Sequence, residues 1–61
     1  MSETEKNDWP PERIKKLRLK LDLTQKELAE QLGVHVITVT RWETGAFGPS
    51  GLAAKELERL E

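Results

Sequence analysis

Sixty-one residues without a cysteine make one small domain at most, and one that neither disulfides nor thiolate-bound metal can stabilise. Ten Lys and Arg stand against eleven Asp and Glu, a net charge of −1 that does not advertise a nucleic-acid binder; local potential, not the total, is what a phosphate backbone feels. No apolar run is long enough to span a membrane, and the polar N-terminus lacks the apolar core of a signal peptide, so a cytoplasmic location is expected.

Residues 1–8 show no apolar periodicity and are predicted to form a flexible lead to a single domain over 9–61. Trp9 is expected to pack loosely on that domain. Pro10 and Pro11 suit a helix entrance, where a missing N–H costs nothing. Ile14, Leu17 and Leu21 then recur at helical spacing, with Lys15, Lys16 and Lys20 turned away and Leu19 off the stripe. Asp22 breaks this first helix as a turn residue. Thr24 and Glu27 are spaced as a capping box, and Leu23 and Leu28 as a hydrophobic staple, so a second helix starts here. Leu28, Ala29 and Leu32 form its buried face, and Gly33 ends it as a left-handed cap.

A third helix is predicted from near His35 to Thr44, capped by Gly45. On it Val36, Ile37, Thr40, Arg41 and Thr44 share one arc, while His35, Thr38, Val39 and Trp42 share the other. Apolar residues on both faces leave two readings: a helix buried on both sides, or a front that contacts a partner. Residues 46–49 form a loop, and Ser50 caps a fourth helix reaching Glu61 with Leu52, Ala53, Leu57 and Leu60 inward. There is no room for a sheet, so the class is all-α.

The second and third helices, joined by a tight turn, form a pair that can be laid into the major groove of DNA. Arg13, Lys15, Lys16, Arg18, Lys20 and Lys26 cluster in the first helix and the start of the second, while acidic residues gather in the N-terminal lead and at Glu56, Glu58 and Glu61. A charge run of this kind is commonly only a solvated face. Arg41 suits direct readout, because a guanidinium can grip guanine O6 and N7 together. Val36 and Ile37 form no side-chain hydrogen bonds; they suit either thymine methyls or a neighbouring chain. Trp42 reads as core. Phe47 reads as a plug for the core or as an exposed contact for a second chain. One His and no Cys argue against a metal site. No nucleophile, paired acid and base or Gly-rich phosphate loop is evident, so neither catalysis nor a cofactor nor a small-molecule ligand is expected.

From Ile14 to about Leu57 the chain resembles the phage-repressor/Cro-type (xenobiotic-response-element-type) helix-turn-helix family. The resemblance rests on Ile14, Leu17 and Arg18, on the run Leu23-Thr24-Gln25-Lys26-Glu27-Leu28-Ala29 with Leu32-Gly33-Val34, on Thr38-Val39-Thr40-Arg41-Trp42-Glu43-Thr44-Gly45, and on Pro49-Ser50 with Leu52-Ala53. It implies a small lambda-repressor-like domain whose third helix enters the major groove. The four predicted helices are one fewer than the five usual in that family. The resemblance places Val36, Ile37 and Arg41 at base-reading positions; Thr40, at a position where small hydroxyl residues pack or reach phosphate, is expected to join them in base readout. The resemblance places Arg18, Gln25 and Thr38 at phosphate-contacting or bracing positions, and Thr24, Lys26 and His35 beside them are expected to serve the same end. Arg18 and Glu43 fall on a family ion pair. Three positions depart from the family pattern: Asp22 where Gly or Asn is usual, His35 where Ser or Thr caps, and Ala46-Phe47 where the loop is often basic.

The function implied is sequence-specific binding of double-stranded DNA, by a small nucleoid-associated transcriptional regulator or an engineered binding module. The alternative is an antitoxin-like or accessory protein-interaction domain using Leu19, Ile37 and Phe47. A homodimer, weak or formed on DNA, stays open; no membrane partner is expected.

Overall fold

The computed structural model describes residues 9–61, and the lead expected over 1–8 lies outside them. Within the described residues there are four helices and no strand: α1 (Pro11–Lys20), α2 (Gln25–Leu32), α3 (Val36–Thr44) and α4 (Gly51–Leu60). The all-α class expected from the sequence holds.

Three of the four helices begin for a local reason in the sequence. Pro10 and Pro11 open α1 with no side-chain cap. Thr24 closes a full capping box on α2: its hydroxyl accepts from the Glu27 amide at 3.0 Å, and the Glu27 carboxylate accepts from the Thr24 amide at 2.8 Å. His35 precedes α3 without capping it through its side chain, and the Ser50 hydroxyl accepts from the Ala53 amide at 3.5 Å at the head of α4.

The first three helices also end alike. A residue at positive φ reverses the chain at Asp22 (60°), Gly33 (75°) and Gly45 (86°). In each case the next residue's amide reaches back to the last turn: Leu23 to the Arg18 carbonyl, Val34 to that of Ala29, and Ala46 to that of Arg41. These are Schellman closures, and they satisfy carbonyls that the helix itself leaves open. Asp22 performs with an L-residue what the other two helices do with glycine.

The core is small and drawn from every helix: Ile14 and Leu17, Leu28 and Ala29, Val39 and Trp42, and Leu57, joined by Trp9. Helix α3 packs against both α1 and α2, and α4 packs against α2. Three expectations need correction, and one alternative is decided. Trp9 is not loosely packed; it is 4% exposed and belongs to the core. Leu52 does not face inward but is 80% exposed. It stands five residues from buried Leu57, which puts the two about 140° apart around the helix. Leu21 is likewise exposed, because α1 ends at Lys20 and Leu21 sits at the C-cap outside the core cluster. Phe47 does not plug the core; it is half exposed and lines a groove with Trp9, Pro10, Pro11 and Trp42.

Candidate nucleic-acid interface

The local sequence of α3 sorts its side chains into two faces. Val39 and Trp42, three residues apart, are buried and anchor the helix. Val36, Ile37, Arg41 and Thr44 face outward, with Val36 and Ile37 each about half exposed. Of the two readings open for this helix, burial on both sides is therefore excluded among the described residues. The Arg41 guanidinium has no hydrogen-bond or ion-pair partner there either.

A polar network holds that face at a fixed angle to the preceding helices. Arg18 Nε donates to Glu43 Oε2 at 2.7 Å and Arg18 Nη2 to Glu43 Oε1 at 3.1 Å, a two-pronged pair. Arg18 Nη1 also donates to the Leu23 carbonyl at 3.1 Å, fixing the turn that leads into α2. Gln25 Nε2 donates to Glu43 Oε1, and Gln25 Oε1 accepts from the Thr40 hydroxyl, both at 3.1 Å. Glu43 is thus the point where α1, α2 and α3 are tied together. Its side chain is 6% exposed and that of Arg18 13%. Burial pushes the Glu43 carboxyl up, but hydrogen bonds from Arg18 and Gln25, with the charges of Arg18 and Lys15, outweigh it and leave it below its ordinary value of 4.5.

The residues expected to act on DNA fall into three groups in space. Val36, Ile37 and Arg41 stand on the open face of α3. Thr24, Gln25 and Lys26 stand at the head of α2, with Lys26 exposed and Gln25 partly covered by its bonds to α3. Thr40 differs from the other base-reading candidates in its bonding: its hydroxyl lies 3.1 Å from both Gln25 Oε1 and the Val36 carbonyl, so its hydrogen is used within the chain. Thr38 is half-buried, and His35 is exposed at the head of α3.

The basic cluster of the sequence does not survive as one patch. Arg18 serves Glu43, and Arg13 turns to the opposite end of the chain. Arg13 Nη2 and Nε donate to the two carboxylate oxygens of Glu61 at 2.7 and 3.2 Å, while its guanidinium lies 3.8 Å from the Trp9 ring centroid. Glu61 is lowered chiefly by that hydrogen bond. Lys15, Lys16, Lys20 and Lys26 remain as exposed cations. No spacing in the sequence signals the Trp9–Arg13–Glu61 cluster, since Arg13 and Glu61 lie 48 residues apart. No set of three metal-ligating residues occurs among the described residues, and none of their helices is long and apolar enough to cross a membrane.

Comparison with known proteins agrees with this arrangement. A family model described as helix-turn-helix matches residues 14–60, which run from the first buried residue of α1 to the last residue of α4. The chain is also similar to an uncharacterized HTH-type transcriptional regulator of Archaeoglobus fulgidus. The two are 40% identical over 48 residues, covering 79% of this chain and 68% of the relative. No solved structure matches. On these matches and this geometry, the chain belongs to the Cro/C1-type helix-turn-helix family of DNA-binding regulators.

Proposed function

We propose that the chain binds double-stranded DNA sequence-specifically as a small transcriptional regulator, with α3 lying in the major groove. One observation carries this reading. Helix α3 keeps an outward face of Val36, Ile37 and Arg41, the last unpaired among the described residues, while its inner face and the Glu43 network fix its angle to α2. A helix so held can present the side chains of its N-terminal half to base edges, as in other helix-turn-helix proteins. Arg41 supplies paired donors for guanine, and Lys26 supplies positive charge for phosphate. Gln25 and Thr40 act as braces between α2 and α3, and Arg18 acts through Glu43. The transcriptional role named for the Archaeoglobus relative supports the same reading.

Selection of bound duplexes from a random library, followed by a salt titration on the winner, tests it. A defined sequence whose affinity falls steeply with salt is expected, because each neutralised phosphate releases a counterion. A palindromic winner marks a dimer on DNA, and a single short half-site a monomer. Failure to enrich any sequence overturns the reading.

A further inference from the structure

We infer that the open face of α3 reads the C5-methyl group of pyrimidines, so that it treats thymine and 5-methylcytosine alike and separates both from uracil and cytosine. This rests on the placement of α3 in the major groove proposed above. Val36 and Ile37 are half exposed in the first turn of α3, and their side chains neither donate nor accept hydrogen bonds. In the major groove, an apolar side chain gains by covering apolar atoms, and the methyl at pyrimidine C5 is the apolar group on a base edge there. 5-Methylcytosine carries that methyl at the same position. It differs from thymine in having an amino group at C4 where thymine has an oxygen. That exchange of donor for acceptor is invisible to Val36 and Ile37.

The neighbourhood of the pair suits a polyanion better than an apolar protein surface. The first turn of α3 contains no acidic residue, and the acidic side chain further along the helix, Glu43, is turned to Arg18. Arg41 stands four residues after Ile37, on the same side of the helix and without a partner among the described residues. A guanidinium at that distance reaches guanine O6 and N7 while Ile37 covers a methyl nearby. The preferred element therefore contains a guanine close to a C5-methylated pyrimidine. The other large exposed apolar residues, Leu19, Leu21, Phe47 and Leu52, lie outside helices α2 and α3.

The test starts from a duplex won by random-library selection and bound in a salt-dependent way. Each thymine is replaced in turn by uracil, by cytosine paired with guanine, and by 5-methylcytosine paired with guanine. At the contacted positions uracil and cytosine are expected to weaken binding about fourfold per methyl lost, as for one apolar carbon withdrawn from cover, while 5-methylcytosine stays within a factor of about two of thymine. The double variant Val36→Ala with Ile37→Ala, at half-exposed positions outside the core and checked by its melt to be folded, should erase the difference between thymine and uracil. Three results overturn the inference while leaving DNA binding intact: equal binding of all four bases at every position, 5-methylcytosine binding as poorly as cytosine, or a thymine preference that survives the double variant. If selection yields no duplex at all, the proposed function falls with it.

Discussion

Arg41 carries five N–H donors and has no partner among the described residues, so its removal leaves the fold untouched and alters only what the face can hold. Arg41→Ala is expected to cost about 1–3 kcal/mol on the preferred duplex and to relax selectivity at one base pair, read by titrating a panel of single-base variants. Equal loss on every duplex would mean that the side chain meets phosphate alone. At the other functional extreme stands Asp22, which makes a turn and nothing else. Its φ of 60° is tolerated by Asp but strained for an L-residue. Asp22→Gly is therefore expected to stabilise the domain by roughly 0.5–1 kcal/mol, seen as a rise of several degrees in Tm, since relief of that strain outweighs glycine's greater freedom in the unfolded chain. Both residues were legible in the sequence: Arg41 from its place on an outward arc, and Asp22 from its place between two apolar stripes. Apolar character alone places Leu52 inward, whereas its angle to Leu57 sets it on the exposed side of α4.

Among the elements, α3 depends on one carboxylate. Glu43 accepts from Arg18 on α1 and from Gln25 on α2, and it is almost wholly buried. Glu43→Ala leaves the Arg18 guanidinium covered and unpaired, a loss of about 3–5 kcal/mol. That is a large share of the roughly 3–9 kcal/mol expected for a chain this short. Because the folded carboxyl titrates below its ordinary 4.5, its ionised form stabilises the fold fully above that value, and the contribution fades as pH falls through the lower folded value. Thermal melts at stepped pH should show this as an acid limb that is shallower in Glu43→Gln; identical limbs would remove Glu43 from the acid response. The helix starts and stops that position this hub could be read locally, because a capping box or a left-handed cap is specified within a few residues. The Arg18–Glu43 pairing was suggested by family likeness. The bonds of Gln25 and Thr40 to one another could not be read, because they depend on the angle between α2 and α3.

At the scale of the whole molecule, a nearly neutral chain can still present positive potential where it matters. Both arginines of α1 are engaged with carboxylates, Arg13 with Glu61 and Arg18 with Glu43, which leaves lysines as the surface cations of α1 and α2. Lys26→Ala should weaken binding to all duplexes alike and make the salt slope shallower by about 0.9, the change for one phosphate contact; an unchanged slope would place Lys26 off the DNA. The sequence showed these charges but not their allocation. Trp9, Arg13 and Glu61 come from both ends of the described chain, and only the finished packing of α1 brings them together. Insertion of α3 into the major groove is tested most directly by intermolecular NMR contacts in the complex with the selected duplex. Groove insertion predicts contacts from the methyls of Val36 and Ile37 to major-groove base protons. Contacts confined to Leu19, Phe47 or Leu52, with Val36 and Ile37 unmoved, would contradict it.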